Sequence, residues 1–472
     1  MTDRGGDRTV VGDMSVTVIE GREDRRRKVL IAGGGVAGVE ALLAFAAVAP
    51  DRVSVELMAP EPDFVYRPLS VAEPFERAMV RRLPLAELAA EHGARYRPDA
   101  LAEVDPDRRV ATTRAGTELG YDFLLLALGA RASVALPGAL TFRGAQDVEA
   151  FGQLLRELER GDVTRVAFAV PHPVRWPLPI YELALMTAAH LAAHEVPGAT
   201  IAVVTHEREP LDVFGPGTGE RVRSLAAAAG VEIVTSNAPA RVEAGRLMLM
   251  SGASVPADRV VALPKLDVPE IPGIPQGPRG FIPTDLFLRV EGLQDVYAAG
   301  DATWYPIKQG GLAAQQADVA ASAIAAAAGE SLRPTPFHPV LRGILLGGRK
   351  PLHMRSDSGT VSSGQTVEPL WWPPGKVAGR YLAPYLATRP GDIPRPPLSD
   401  VEPPSPGRPK TGTADALEMA LVAADGSARA ADYEGALRWL SAAEQLDVAL
   451  PIEYARRRRD WRQALAQQRQ TG

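Results

Sequence analysis

Near the N-terminus, Gly33, Gly35 and Gly38 fit the pattern G-x-G-x-x-G. The apolar strand Lys28–Ala32 is predicted just before these glycines, and an Ala- and Leu-rich helix, Val36–Val48, just after them. In this strand–turn–helix context the first glycine makes a tight turn, the second lets the backbone approach a pyrophosphate, and the third permits close helix packing. The pattern predicts a dinucleotide-binding βαβ unit.

The start of this helix offers the free N–H groups of Val36 and Ala37 to phosphate oxygens. The second strand of the unit is predicted at 52–59, and an acidic residue usually stands at its end to bind ribose hydroxyls. Ala59 occupies that end and cannot do so. Glu61 is therefore the candidate substitute, although a solvated loop residue is an equally good interpretation.

Composition limits the chemistry. A chain of 472 residues exceeds one compact core, so two or three domains are expected. The net charge is -5 and the arginines form only short clusters, so nucleic acid is not expected as a partner. The sequence contains no cysteine, which excludes disulfides, thiolate metal sites and thiol redox chemistry. The seven histidines show no metal-ligand spacing, so no metal site is predicted.

A second βαβ pattern starts at residue 166, with strands predicted at 166–170 and 200–206 and a helix at 181–194. A further helix at 220–229 and strand at 231–235 follow. This repetition predicts an α/β fold with two nested Rossmann-like dinucleotide-binding domains, to which a small C-terminal α-helical appendage is added. Long single strands are also predicted at 102–112 and 118–128.

Gly300 and Asp301 end a predicted strand, 295–299, and a long alanine-rich helix follows from about Gly311 to Ala328. A carboxylate at such a strand end can accept hydrogen bonds from ribityl hydroxyls. The positive end of the following helix can stabilise negative charge on a reduced flavin ring. Asp301 could instead cap a turn, but together with the N-terminal glycine loop it indicates FAD as the cofactor.

The segments Val296–Thr303 and Pro306–Ala317 resemble the second FAD motif of the two-dinucleotide-binding-domain flavoproteins, the pyridine nucleotide-disulfide oxidoreductase superfamily. The motifs are most similar to those of sulfide:quinone oxidoreductase, flavocytochrome c sulfide dehydrogenase and the alternative NADH dehydrogenases. Tyr121–Gly129 resembles the middle motif of this superfamily, with Leu128 in place of its usual threonine. The resemblance covers about Lys28 to Arg355 and implies an FAD-dependent oxidoreductase.

The resemblance also implies roles for individual residues. The glycines at 33, 35 and 38 would contact the pyrophosphate, Asp301 the ribityl chain, and Lys308 the isoalloxazine ring. The predicted cofactor-binding residues are Gly33, Gly35, Val36, Ala37, Gly38, Glu61, Arg67, Ala127, Gly129, Gly300, Asp301, Lys308, Gly311 and Leu312. Lys308 is also the candidate catalytic residue.

The second domain departs from the family pattern. Members that use a pyridine nucleotide carry a second glycine loop, whereas Pro171–Ile180 contains four prolines and no glycine. Proline has no N–H for a phosphate and its ring blocks close backbone approach. We therefore expect no conventional NAD(P)H binding, although Arg175 could neutralise a phosphate and Glu207 could take the ribose position. In the same loop His172 is a candidate substrate guide or a plain loop residue, and Trp176 is predicted to pack.

Three functions stay open. The first is an FAD-dependent oxidoreductase that passes electrons from a small reductant to an acceptor such as a quinone, without cysteine chemistry. The second is an NAD(P)H:acceptor oxidoreductase with a non-standard nucleotide loop. The third is a non-catalytic flavin-fold protein that acts through its C-terminal helices. A cytoplasmic location is expected, and both a peripheral membrane contact and a homodimer remain open.

The predicted domain organisation is a disordered extension (1–27), an FAD domain in two parts (28–150 and 281–330), a second Rossmann-like domain (151–280), a β or irregular region (331–387), a Pro-rich linker (388–413) and a helical hairpin (414–472). The hairpin is expected to dock on this chain, a second subunit or a partner. Within 331–387, the aromatic stretch Trp371–Tyr381 is interpreted as an interfacial membrane anchor or as a lid packed on the flavin domain, the second being commoner.

Overall fold

The computed structural model describes residues 26–387, apart from 216, 348–349, 358–362, 368 and 372. It also describes 452–471 and the isolated positions 421, 424, 428, 433, 436, 437 and 440. The predicted linker and most of the helices predicted at 414–424 and 433–446 lie outside the described residues. The same holds for nearly all of the predicted extension.

In chain order the strands are β1 (Arg27–Ala32), β2 (Val53–Met58), β3 (Asp63–Val65), β4 (Arg82–Pro84), β5 (Arg95–Arg97), β6 (Leu101–Asp105), β7 (Val110–Thr113), β8 (Glu118–Gly120), β9 (Phe123–Leu126), β10 (Arg131–Ser133), β11 (Leu140–Thr141), β12 (Arg165–Val170), β13 (Thr200–Thr205), β14 (Val231–Val234), β15 (Pro239–Glu243), β16 (Arg246–Leu249), β17 (Ser254–Pro256), β18 (Arg259–Ala262), β19 (Lys265–Asp267), β20 (Val296–Ala298), β21 (Val340–Leu345), β22 (Leu352–Asp357) and β23 (Ser363–Thr366). The helices are α1 (Val36–Val48), α2 (Leu85–Glu91), α3 (Val148–Glu159), α4 (Leu178–Ala193), α5 (Thr218–Ala228), α6 (Gly310–Ala327), α7 (Leu382–Ala387) and α8 (Ile452–Thr471).

The first domain is built on a parallel sheet with the strand order β20–β9–β1–β2–β5. Its inner strands β1 and β9 are rich in Val, Ile and Leu and mostly buried, as strands covered on both faces are expected to be. Helices α1 and α6 pack against each other beside the sheet, and Phe45, Leu57 and Tyr297 lie in the core between these elements. Strand β20 pairs with β9 although the whole second domain lies between them in the chain. This pairing confirms the nested arrangement.

The second domain repeats the theme with a parallel sheet of order β11–β18–β12–β13–β14. Its core packs α3 and α4 against the sheet around Phe151, Phe168 and Tyr181. The predicted fold of two nested Rossmann-like domains is therefore confirmed. Strand β11, Leu140–Thr141, belongs to this second sheet although it precedes the predicted boundary at residue 151.

The predicted strand at 102–112 is wrong, because that segment forms the hairpin β6–β7 with an antiparallel register. Its turn includes Arg109, whose φ of 53° lies in the left-handed region. The predicted strand at 118–128 is likewise two strands, β8 and β9. Asp122 separates them and accepts a hydrogen bond from the Lys28 N–H at 2.7 Å. The first turn carries its own signal, Pro106-Asp107, whereas apolar alternation continues through the second turn and hides it.

The aromatic stretch Trp371–Tyr381 packs on the protein in its described residues. The side chain of Trp371 is buried and its indole N–H donates to the Gly375 carbonyl at 2.9 Å. The Val377 N–H donates to the Tyr66 hydroxyl at 3.1 Å, so this stretch contacts the first domain. These contacts support the interpretation as a packed segment.

Glu40, on α1, is fully buried and anchors the start of α7 to the first domain. Its carboxylate accepts hydrogen bonds from the backbone N–H groups of Tyr381 at 2.9 Å and Leu382 at 2.7 Å. Burial raises the pKa of Glu40 from 4.5 to about 8, although the backbone donors oppose the shift. Because the folded state holds this proton more tightly, the resulting stability is complete below pH 4.5 and is lost as pH rises through about 8.

We therefore expect the free energy of unfolding to fall between pH 6 and pH 9, by at most about 1.4 kcal/mol per pH unit from this group. Glu40→Gln should be less stable than wild type at pH 6 but should show a flatter pH dependence. Urea unfolding at three pH values measures both effects. Glu149→Gln, at an exposed position on α3, serves as the control. Parallel pH profiles for Glu40→Gln and wild type would refute this assignment.

The third predicted C-terminal helix is present as α8. Tyr454 and Trp461 on α8 form a small separate core with Leu421, Ala424 and Leu440. Helix α8 thus buries part of its apolar surface against these three positions. None of the helices in the described parts of the chain is both long enough and apolar enough to cross a membrane.

Candidate active site

The predicted cofactor-binding residues converge on one edge of the first sheet. Strands β1, β2, β9 and β20 are parallel, so the segments that follow them lie at the same carboxyl edge. Open α/β sheets bind their ligands at this edge. These segments contain Gly33, Gly35, Val36, Ala37, Gly38, Glu61, Ala127, Gly129, Gly300 and Asp301. Glu61 itself is exposed in the loop after β2, where its carbonyl accepts a hydrogen bond from Tyr96 at 2.8 Å.

The three glycines of the first loop have different surroundings. A Cβ added to Gly33, whose φ is 120°, would lie 2.1 Å from the Ala127 carbonyl oxygen. A Cβ added to Gly38 would lie 1.8 Å from the Gly33 carbonyl oxygen. At Gly35, by contrast, no atom lies within 4 Å of the position a Cβ would occupy. The outer glycines therefore permit close packing within the chain, while Gly35 leaves open space at the N-terminus of α1.

Gly300 brings the second motif against the first. Its φ is 83°, and a Cβ there would lie 3.2 Å from the Cβ of Ala37 on α1 and 3.5 Å from the Cβ of Ala313 on α6. Its N–H donates to the Gln316 side-chain oxygen at 2.7 Å, which fixes the turn to α6. The two glycine-containing motifs, which are distant in sequence, therefore form one site.

Asp301 lies in this turn, and none of the described residues donates a hydrogen bond to its carboxylate. Burial raises the pKa of Asp301, while the charges of Lys308 and Arg67 lower it. A desolvated carboxylate is costly unless donors satisfy it. The hydroxyls of a ribityl chain would supply such donors. The open space at Gly35 and the unmet acceptors of Asp301 both fit FAD.

Lys308 follows this turn and is held by two contacts. Its ammonium donates to the Thr303 carbonyl at 2.5 Å and lies 4.0 Å from the centre of the Phe281 ring. Burial lowers the pKa of Lys308 to about 8, although nearby Asp301 raises it. A cation with this pKa can neutralise negative charge and exchange a proton near neutral pH.

The N-terminus of α6 contains a residue that sequence reasoning missed. The Gln309 side-chain oxygen accepts the Leu312 N–H at 2.8 Å, and its amide donates to the Arg342 carbonyl at 3.0 Å. The Leu312 amide is therefore already bonded, and Gly310 and Gly311 provide the remaining N–H groups of the first turn. The sequence does contain a signal for this role. Gln309 stands directly before two glycines and an alanine-rich helix, which is the N-cap position of that helix.

The proline loop of the second domain lacks the amides that a pyrophosphate needs. Helix α4 begins at Leu178, and in its first turn Pro179 has no N–H. The Ile180 N–H donates to the Pro177 carbonyl, and the Val174 N–H donates to Pro171, both at 2.9 Å. These two amides are thus bonded within the loop, and its four prolines offer none.

Glu207 is also unsuited to hold a ribose. It is buried, and its Oε2 atom accepts hydrogen bonds from the hydroxyls of Tyr181 at 2.7 Å and Thr205 at 2.8 Å. Burial raises the pKa of Glu207 to about 7. The acid that could have contacted a nicotinamide cofactor is thereby committed to the core of the second domain.

The two aromatic residues of the proline loop have different surroundings. Trp176 packs edge-on against Phe214, with ring centres 5.7 Å apart, as predicted for a packing residue, and it also lines a cavity. His172 contacts His206 at 5.7 Å between ring centres, and it is not among the residues lining that cavity. The interpretation of His172 as an ordinary loop residue is therefore better supported than a role in guiding the substrate.

The cavity lies between the two domains beside Lys308. Its walls come from separate parts of the chain, including Arg67 after β3, Trp176 in the proline loop, Phe281, and Arg342 on β21. Its volume is about 310 Å³, which suits a small molecule. The predicted residues Arg67 and Lys308 thus face the same space.

One side-chain cluster qualifies the expectation that no metal site exists. His190 and His194, one turn apart at the end of α4, lie near Glu159 at the end of α3, with candidate ligand atoms within 4.8 Å of one another. The His190 ring nitrogen lies 2.6 Å from the Glu159 carboxylate. This hydrogen-bonded pair accounts for the arrangement without a metal ion.

Comparison with known proteins places this site in context. The family model described as "Pyridine nucleotide-disulphide oxidoreductase" matches residues 182–327. An NADH dehydrogenase-like protein of Mycobacterium tuberculosis is 28% identical over 58% of this chain and 72% of its own length. Demethylphylloquinone reductase of Synechocystis sp. is 25% identical over 69% of this chain and 85% of its own. The sulfide:quinone oxidoreductase structure from Aquifex aeolicus superposes with a TM-score of 0.65 at 19% identity, covering 72% of this chain and 87% of that one.

The fold and the site together define a flavoprotein with two nested dinucleotide-binding domains. More specifically, residues 182–327 match the model of the pyridine nucleotide-disulphide oxidoreductase family, and the proteins just described are distant relatives of the chain. It is a flavin-dependent oxidoreductase, and FAD is its cofactor. The contacts of each predicted residue with FAD remain predictions.

Proposed function

We propose that this protein passes reducing equivalents from a small donor other than NAD(P)H to a quinone-type acceptor, with FAD as its redox cofactor and without cysteine chemistry. The observation that carries the proposal is the proline loop, Pro171–Ile180, at the place where relatives that use a nicotinamide would bind its pyrophosphate. The buried, hydrogen-bonded Glu207 and the cysteine-free sequence support it.

The quinone part of the proposal is supported by the names of two similar proteins. One is a demethylphylloquinone reductase and the other a sulfide:quinone oxidoreductase. Sulfide oxidation through cysteine persulfide is excluded for this chain because it has no thiol. A quinone acceptor is compatible with these facts, whereas sulfide as the donor would need a cysteine-free route.

Each residue of the site has a proposed task. Bound FAD supplies the acceptance and release of two reducing equivalents. Gly35 and the first turn of α1 would hold the pyrophosphate, and Asp301 would orient the ribityl chain. Lys308 would neutralise negative charge beside the ring and hold or release a proton at its Nζ atom. Gln309 would position the first turn of α6.

The direct test is anaerobic mixing of the purified, FAD-loaded protein with NADH or NADPH. We expect the flavin absorbance at about 450 nm to persist. Protein reduced by light should then be reoxidised rapidly by a water-soluble benzoquinone. Rapid bleaching by either nicotinamide would contradict the proposal and favour an NAD(P)H:acceptor oxidoreductase.

That alternative has its own supporting observations, since one similar protein is named NADH dehydrogenase-like and Arg175 lines the cavity. If NAD(P)H does reduce the flavin, Arg175→Gln should weaken the apparent nicotinamide affinity roughly tenfold, because a charged contact to phosphate would be lost. An unchanged affinity in this variant would place the nucleotide elsewhere.

A further inference from the structure

The cavity between the domains is strongly cationic. Its lining includes eight Lys or Arg side chains, at positions 67, 143, 175, 265, 279, 308, 342 and 376, but only one carboxylate, that of Glu182. Lys376 is neutralised by Glu182 at 2.7 Å, and Arg143 by Asp147 at 2.5 Å. The other six cations form no ion pair with any residue in the described parts of the chain. Asp301 offsets part of the charge of Lys308 and Arg67, and the cavity still carries a surplus of positive charge.

Arg342 is the most informative of these cations. Its Nε atom is buried and has no hydrogen-bond partner among the described residues. Burial and the nearby charge of Arg355 lower the pKa of Arg342 to about 10, although the charge of Asp357 opposes this shift. A desolvated guanidinium costs free energy, and because Arg342 also lines the cavity, an anionic ligand there would offset part of that cost.

The other wall of the cavity is apolar and aromatic, with Phe142, Trp176, Phe281 and Ile344. The Phe281 ring also contacts two of the cations: Lys308 lies 4.0 Å and Arg279 5.0 Å from its centre. Such contacts hold the cationic groups in place at little entropic cost. The cavity thus places positive charge beside a hydrophobic surface of small-molecule size.

We infer that this cavity binds a small organic anion with an aromatic or branched apolar body, whose carboxylate contacts the Arg342 guanidinium. The same chemistry would serve a sulfonate or a phosphate monoester. Because Lys308 and Arg67 line the same space, the anion would lie next to the flavin. The claim that this anion is the electron donor rests on the proposed function. The claim that the cavity binds an anion does not.

A dinucleotide does not suit this cavity. Its pyrophosphate would need the amide cradle that the proline loop lacks, and its ribose would need the acid that Glu207 no longer offers. A neutral quinone does not require the excess charge. A compact carboxylate with an apolar body would contact both the cationic wall and the aromatic wall.

The test titrates benzoate and its neutral isostere benzamide into the FAD-loaded protein, by calorimetry and by changes in the flavin spectrum. We expect benzoate to bind at least roughly tenfold more tightly than benzamide, because only benzoate makes charge-assisted hydrogen bonds. Arg342→Gln should raise the Kd for benzoate roughly tenfold or more, and Arg175→Gln severalfold. Arg259→Gln, an exposed arginine paired with Glu157 on the second domain, is the control.

Several outcomes would overturn the inference. Benzoate could bind no better than benzamide, or equally well to wild type and Arg342→Gln. Binding could also occur only in flavin-free protein and disappear on FAD loading, which would make the cavity part of the flavin seat. If Arg342→Gln does not fold, the Kd of Arg175→Gln for benzoate tests the inference instead. Failure of the proposed function is a separate result: the loaded protein would bind benzoate yet reduced protein would not react with benzoquinone.

Discussion

Replacing Asp301 by alanine should give a protein that folds but is purified largely without flavin. The carboxylate stands at the end of β20, receives no hydrogen bond from the described residues, and has its pKa raised by burial. FAD hydroxyls would therefore be its main donors. Loss of two charge-assisted hydrogen bonds corresponds to about 3 kcal/mol, or roughly a hundredfold in affinity.

The measurement is the ratio of flavin to protein absorbance after purification, followed by titration of the apoprotein with FAD. Because no described residue donates a hydrogen bond to this carboxylate, its removal should leave the melting temperature of the apoprotein nearly unchanged. The matched control is Asp162→Ala. The Asp162 side chain is 59% exposed and pairs with Arg160, so this variant should retain FAD. An Asp301→Ala protein with full yellow absorbance would remove Asp301 from the cofactor site.

The sequence identified the parts of this molecule that repeat a local pattern. Helix α1 spans the predicted Val36–Val48, and strands β1, β2, β12, β13, β14 and β20 lie within a few residues of their predictions, whereas β5, β11 and β18 were not predicted. These elements combine strong periodicity with a glycine or proline at their ends, so local physics determines them. The hairpin β6–β7 was missed because the prediction weighed the alternation on either side and not the turn residues Pro106 and Asp107 between them.

The chemistry of the site was harder to predict because it depends on contacts between distant segments. Glu207 stood at a plausible ribose position, and only the structure shows that Tyr181 and Thr205 occupy its carboxylate. The cationic cavity likewise assembles Arg175, Lys308 and Arg342 from three separate regions. No spacing in the sequence could indicate that convergence, since it arises from domain packing.

The glycine loop allows packing within the chain to be separated from binding of FAD, because its glycines have different surroundings. Gly35→Ala should yield a stable protein that binds FAD poorly. The backbone at Gly35 has φ -79°, which any residue adopts, and the new methyl group would meet no protein atom within 4 Å. The space it enters is the space we assign to the pyrophosphate. Backbone approach would be blocked, and we expect an affinity loss of roughly tenfold or more.

Gly38→Ala should behave differently, because its methyl group would lie 1.8 Å from the Gly33 carbonyl oxygen. Relief of that clash requires α1 to move away from the loop, at a cost of about 1–3 kcal/mol or more in stability. Its melting temperature should fall even without FAD, which separates it from Gly35→Ala. Gly120→Ala, at another glycine with nothing within 4 Å, controls for the substitution itself. If Gly35→Ala binds FAD as wild type does, the open side of this loop is not the cofactor site.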